Sequence, residues 1–263
     1  MSEPGRDQYN RYLIVPPSGG KAVPHTRCTT VAKVLDDRTG IELWERRHIV
    51  KGLTTRPDLM ALAQATPIDE KKALNRLCMD ALVASASSSR ANLGTAIHSY
   101  TEQVDRGEDV TVPAPWDADV RAYRECCAVN AIAVDPDLIE VIAVCEALAE
   151  PVAGTIDRIV RWDNAWYIAD LKTGRDLSYS WRSIATQLAI YSRAASLYDP
   201  DSNSHLPMPD VDQEHGIVFH LPAGEGVCTP YLVDLDAGWE AAELSVNTRA
   251  WRKRRDLATE LAA

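Results

Sequence analysis

Two aspartates and a lysine in one stretch, GTIDRIVRWDNAWYIADLKTG, have the types and spacing for metal-assisted hydrolysis of a phosphodiester. Asp157 closes GTID, and Asp170 and Lys172 bracket the DLK triplet. Successive strand residues alternate faces and rise about 3.3 Å each, so Asp170 and Lys172 at i and i+2 should project together from the strand WYIADLK. Asp157 should sit on the neighbouring strand of a hairpin. Hard magnesium selects oxygen ligands, which the two carboxylates and the backbone carbonyl of Leu171 can supply. Lys172 can orient or deprotonate a water or stabilise the transition state. Taken alone, the Asp170 and Lys172 pair reads equally as a salt bridge on an exposed sheet face.

Two further polar groupings flank this stretch. Upstream, GTAIHSYTE places Gly94 four residues before His98, and Glu102 one helical turn beyond it, so His98 and Glu102 share a helix face. Downstream, QLAIY places Gln187 and Tyr191 at i,i+4 on the helix that follows the strands, where both can look toward the strand ends. A lone helical histidine or tyrosine is an ordinary structural residue. The ordered set carries more weight than any member.

Read together, GTAIH, GTID, DLK and QLAIY resemble the PD-(D/E)XK nucleases, specifically the RecB-like exonuclease branch marked by GxxxH, GxxD, (D/E)xK and QxxxY. The resemblance covers Gly94 to Tyr191 and implies an α/β, restriction-endonuclease-like core, a central mixed sheet flanked by helices. It implies His98, Asp157 and Asp170 as ligands of Mg2+ or Mn2+, joined by the Leu171 carbonyl. Lys172 becomes the catalytic lysine, with Gln187 and Tyr191 in supporting, DNA-facing roles. Glu102 lies outside the strict motif, as a group just beyond the ligands. Some relatives hold an iron–sulfur cluster with one cysteine before the nuclease core and three after it. Here Cys28 lies in front but Cys228 alone follows Tyr191, so no cluster is expected.

The segments TRCTTVAKVLDD, ELWERR, EKKALNR and HLPAG also resemble exonuclease proteins of actinobacterial tailed phages. The activity implied is a metal-dependent DNA exonuclease working on DNA ends in phage replication or recombination. DNA is the implied partner, with a phage annealing or recombination protein as a second and with oligomers open. The alternatives are a noncatalytic scaffold that binds DNA ends and a structure-selective endonuclease with the same chemistry.

The elements that must position these residues follow from composition and pattern. With 263 residues, 46% of them hydrophobic, the chain suits one large domain, residues 1–263, with a mainly helical part over 1–90 and the nuclease core with a C-terminal helix over 91–263. The first thirty residues, with PPSGG, read as a loose leader. Thr29 and Thr30 would cap a helix VAKVLDD, Gly40 would break it, and IELWERRHIVKGL would follow. Pro57 and Pro67 stand at expected helix starts. Helices are expected over about 92–106 and 117–131. The Val- and Ile-rich runs LIEVIAVCEAL, PVAGTIDRIVRW and AWYIADLK, separated by EP and DN turn signals, then predict an antiparallel three-strand meander. A helix SWRSIATQLAIYSRAASLY, a mobile loop over 199–214, strands HGIVFHLP and TPYLVDL, and a last helix from Ala237 complete the order.

A net charge of -10 disfavours a surface coated for nonspecific nucleic-acid binding but leaves room for acids around a metal. The run WRKRR, Trp251 to Arg255, is a local exception. The six cysteines show no CxxC pair and read as reduced thiols. No run approaches the roughly 18 apolar residues of a membrane span, and MSEPGRDQYNRY has no export pattern, so a cytoplasmic, non-membrane location is expected, in a bacterial host if phage-encoded. No GxxxxGK[ST] occurs, so no ATP-driven unwinding is expected. His215 and His220, five residues apart on one strand, face opposite ways. Trp162, Trp166 and Trp181 flank the proposed site and suit packing better than base stacking.

Overall fold

The computed structural model describes residues 4–261, with backbone alone over 86–93. The chain divides into two compact units, one formed by residues 1–36 and 100–263 and the other by Asp37–Ser99. Residues 1–90 are mainly helical, but the first 36 of them belong with the sheet unit.

The Asp37–Ser99 unit is helical: α2 (Thr39–Thr55), α3 (Pro57–Ala65), α4 (Lys71–Leu82), a π-helical turn (Val83–Ser87) and the first part of α5 (Ser88–Asp105). Pro57 occupies the first turn of α3, where its missing N–H costs nothing. Gly40 lies inside the first turn of α2 and does not separate two helices, and α4 begins at Lys71, four residues after Pro67.

In the other unit, β1 (Tyr12–Ile14) and β2 (Val23–Arg27) replace the expected leader, and α1 (Cys28–Ala32) is a single short turn. After α6 (Trp116–Val129) comes the meander β3 (Ala133–Cys145), β4 (Val152–Trp162) and β5 (Ala165–Lys172), both pairs antiparallel as expected. Helix α7 (Trp181–Ser192) ends before the sequence pattern does: SLYD forms β6 (Ser196–Asp199), which pairs with the edge of β3. The expected loop over 199–214 contains β7 (Ser204–Pro207), the second strand of a hairpin with β6. β8 (His215–His220), β9 (Thr229–Asp234) and α8 (Leu235–Trp251) complete the unit, with the Asp234 side chain capping α8 through the Ala237 N–H.

The strands form one mixed sheet in the order β7-β6-β3-β4-β5-β8-β9, with β2 added beside the start of β4. β5 and β8 run parallel, so the chain between them crosses over the sheet through α7. Helices α1, α7 and α8 pack on one face, sharing a core of Val141, Ile156, Ile159, Ile168, Leu188 and Val246 among others. Gly238 of α8 permits the close crossing with α7, since a Cβ there would lie 2.3 Å from the Ala185 carbonyl oxygen. On the other face Tyr123 of α6 packs edge-on against Phe219, with ring centroids 5.3 Å apart. The protein is therefore α/β, a mixed central sheet flanked by helices. Among the described residues no helix is long and apolar enough to cross a membrane.

Candidate active site

The hairpin turn sets the register of the site. Asp163 and Asn164, both at positive φ (46° and 64°), make a two-residue turn of the kind whose twist suits a hairpin, and Trp162 pairs with Ala165 across it. Counting back from the turn, the ladder ends at Arg158 paired with Ala169, and Asp157 and Asp170 are the next residues on the two strands. From there the two strands no longer pair, and β2 takes the place beside Val152 and Ala153. In the opening between them the Asp157 side chain substitutes for the ladder: its Oδ2 accepts the Leu171 N–H at 3.1 Å.

Asp170 is not on an exposed sheet face. It is 2% exposed, and its carboxyl is pushed up to about 7 by burial and then by the Asp157 carboxylate. The Lys172 ammonium lies 2.5 Å from Asp170 Oδ2 but off the line of a good hydrogen bond, leaving that buried oxygen without an aligned donor. Burial pulls the Lys172 pKa down, yet Asp170 and Asp157 outweigh it and hold the ammonium protonated above its usual range. The bland salt bridge of the sequence reading is thus a buried, strained-for-charge pair at the mouth of a strand opening.

Gln187 and Tyr191 lie one turn apart on α7, as expected, and Gln187 Nε2 is 3.5 Å from the Tyr191 hydroxyl. Tyr191 is buried and packs where GTID has its glycine: a Cβ at Gly154 would lie 2.6 Å from the Tyr191 hydroxyl oxygen and 2.8 Å from Cys28 Cβ. The first residue of GTID and the last of QLAIY are therefore a steric pair. Cys28 Sγ donates to the Gln187 carbonyl at 3.6 Å, and burial pushes its thiol pKa up, so it is an inert packing group beside the site.

Residues without a role in the sequence reading complete the surroundings. Arg158, fully buried, pairs with Asp105 at 3.1 Å and donates to Thr101 at 3.3 Å, and Tyr123 also donates to Asp105, at 2.9 Å. These contacts tie the last turn of α5 and α6 to β4 directly behind Asp157. Glu140 stands opposite Asp157 on β3, between the pairs Ile139↔Arg158 and Val141↔Ile156, at φ 56°. Its carboxyl is pushed up to about 8 by burial, Asp157 and Glu102. Glu102, half-buried and 3.8 Å from Arg106, has its carboxyl raised by burial in the same neighbourhood. The register slip between Val134 and Ile139, around Pro136, is what brings Glu140 opposite Asp157.

His98 lies in α5 within the Asp37–Ser99 unit, whereas Asp157, Asp170, Lys172, Gln187 and Tyr191 belong to the sheet unit. Among the described residues no three His, Cys, Asp or Glu side chains gather closely enough to hold a metal unaided. The sheet unit offers a pair, Asp157 and Asp170. A pair suits Mg2+, which is commonly held by one or two carboxylates, with water and substrate phosphate completing its shell. The buried Oδ2 of Asp170, with only the Lys172 ammonium beside it, has the donor chemistry such an ion takes, and the Leu171 carbonyl is of the same donor class.

No family model matches the chain, and no curated protein does. It is similar to a solved structure titled "Crystal structure of SSO0001", at 15% sequence identity over 80% of this chain and 87% of that one, with a TM-score of 0.34. A likeness of that extent carries no argument about fold or chemistry.

Proposed function

We propose that the protein is a metal-dependent deoxyribonuclease, an exonuclease acting at DNA ends, built on a restriction-endonuclease-like core. The observation that carries the reading is the placement of Asp157, Asp170 and Lys172 at one strand opening, with excess negative charge buried there. Five carboxylates, Glu102, Asp105, Glu140, Asp157 and Asp170, face three close cations, Lys172, Arg106 and Arg158, and four of the five have raised pKa values. A buried surplus of carboxylate is costly unless a cation offsets it.

Asp157 and Asp170 would hold Mg2+ or Mn2+, which when bound supplies neutralisation of charge on the phosphate and a more acidic water. The chain's own residues do the rest. The Leu171 N–H fixes the rotamer of Asp157. Lys172, held protonated by Asp170 and Asp157, would donate to the oxygen on which charge builds during displacement. Tyr191, packed against Gly154, holds α7 to the start of β4, and Gln187 Nε2 lies beside its hydroxyl. Glu102 lies just outside this group, and His98, nominated by the resemblance alone, is assigned by a variant, His98→Ala, and not by geometry.

The test is digestion of end-labelled linear DNA beside closed circular DNA of the same sequence, in Mg2+, Mn2+ or chelator. Metal-dependent loss of the linear form with the circle intact supports the exonuclease. Cleavage of the circle would make it an endonuclease, and binding of ends without cleavage in any metal would make it a scaffold.

A further inference from the structure

We propose that Cys126 and Cys228 are a peroxide-responsive thiol pair, which closes to a disulfide between α6 and the loop joining β8 to β9. The pair would close whether or not the chain cleaves DNA.

The loop is laid along α6 by its own sequence. Gly224 and Gly226 stand at positive φ (83° and 64°), a conformation that favours glycine, and their N–H groups donate to the buried Asp119 carboxylate at 2.7 and 2.8 Å. Asp119 and Cys126 lie two turns apart on one face of α6, so a chain leaving Asp119 along that face arrives at Cys126. There Cys228, just past Gly226, donates its S–H to Cys126 Sγ. On its other side the loop braces the strand end that carries Lys172: Leu221 N–H donates to the Lys172 carbonyl at 2.9 Å, and Ala223 N–H to the Thr173 carbonyl at 3.1 Å.

The two sulfurs are not equivalent. Cys126 Sγ accepts a second donor, the Asn130 side-chain amide at 3.9 Å. Hydrogen bonds to sulfur favour the thiolate, and the Cys228 contact holds the Cys126 thiol below its ordinary range while the same contact and burial raise Cys228. Cys126 is therefore the nucleophile and Cys228 the resolving thiol. Cys127, the next helix residue and so turned about 100° away, lies against Tyr123, and burial pushes its thiol up to about 12. Cys126 is 7% exposed and Cys228 more open, which suits a small oxidant.

The Cys126 thiolate attacks one oxygen of hydrogen peroxide, breaking the O–O bond and leaving a Cys126 sulfenic acid. The expelled hydroxide takes up the proton the thiol had lost and becomes water. The Cys228 sulfur then attacks the sulfenic sulfur, and its proton leaves with the displaced hydroxide as a second water. Two thiols have given two electrons to one peroxide, and one S–S bond has formed.

The experiment is treatment of the full chain with hydrogen peroxide, then alkylation and peptide mapping without reduction. Wild type should yield a peptide linked through Cys126 and Cys228, lost on adding dithiothreitol. Cys228→Ser should yield no link and, in its place, a Cys126 sulfenic acid trapped by dimedone. Closing about 100 residues of chain restricts the unfolded state, so oxidised wild type should melt about 5 °C or more above the reduced protein, with no rise in Cys228→Ser. No linked peptide in wild type, a link through Cys127 or Cys78 in place of Cys126, or a link without the rise in melting temperature overturns the proposal. None of these readouts involves DNA, so the nuclease reading stands or falls separately.

Discussion

The Tyr191 hydroxyl occupies the space that any side chain at residue 154 would need, 2.6 Å from where a Cβ on Gly154 would lie. Two motifs far apart in sequence are thereby one packing unit, since Tyr191 and Gln187 ride on α7 and Gly154 leads β4 toward Asp157. Gly154→Ala must push α7 or β4 aside. Overpacking of this kind costs about 1–3 kcal/mol, and the expected result is a lower urea midpoint together with reduced turnover. Gly40→Ala, where an added methyl meets nothing within 4 Å, is the control and should melt at or above the wild-type temperature.

Arg158 and Asp105 form a pair with no access to water on the arginine side. Removing one partner strands a buried charge, which costs about 3–5 kcal/mol. Asp105→Ala should therefore unfold at a markedly lower denaturant concentration, and Tyr123→Phe, which deletes one hydrogen bond to the same carboxylate, should cost only about 1 kcal/mol. Equal, small effects of both would show that the pair does not anchor α5 and α6 to β4.

Asp170 and Glu140 have folded pKa values of about 7 and about 8, raised by burial and by Asp157. An unfolded chain releases both protons near pH 4, so between about pH 4 and 8 the fold binds more protons than the unfolded state. Metal-free stability should fall as pH rises through that window. A divalent cation relieves the same repulsion, so Mg2+ or Mn2+ should raise the melting temperature more at pH 8 than at pH 6. Asp170→Asn should flatten both dependences. A metal shift of equal size in Asp170→Asn would place the ion elsewhere.

The meander and the facing of Asp157, Asp170 and Lys172 were legible because short Val- and Ile-rich runs and a DN turn are local signals, and a two-residue turn fixes the register of everything behind it. The leader was misread for the opposite reason. β1 has three residues and β2 five, and what makes them strands is pairing with each other and with Val152 and Ala153, far along the chain. SLYD continued a helical pattern, yet the open edge of β3 recruited it as β6, and the proline-bearing stretch after it folded back as β7.

Glu140 and Arg158 escaped notice because their significance is lateral. A glutamate in LIEVIAVC faces Asp157 only through the register slip at Pro136, and Arg158 looks like an ordinary basic residue until the sheet shuts it against Asp105. A charged residue inside an otherwise apolar strand was the available hint. The unit boundaries were also hidden, since residues 1–36 rejoin the sheet across the intervening Asp37–Ser99 helices.

The measurement that bears most directly on the central claim is cleavage of end-labelled linear DNA by wild type, Asp170→Ala and Lys172→Ala side by side, in Mg2+ or Mn2+ and with folding checked by circular dichroism. The account predicts metal-dependent digestion by wild type and a loss of about 10²-fold or more in each folded variant. Undiminished digestion by folded Asp170→Ala would contradict it.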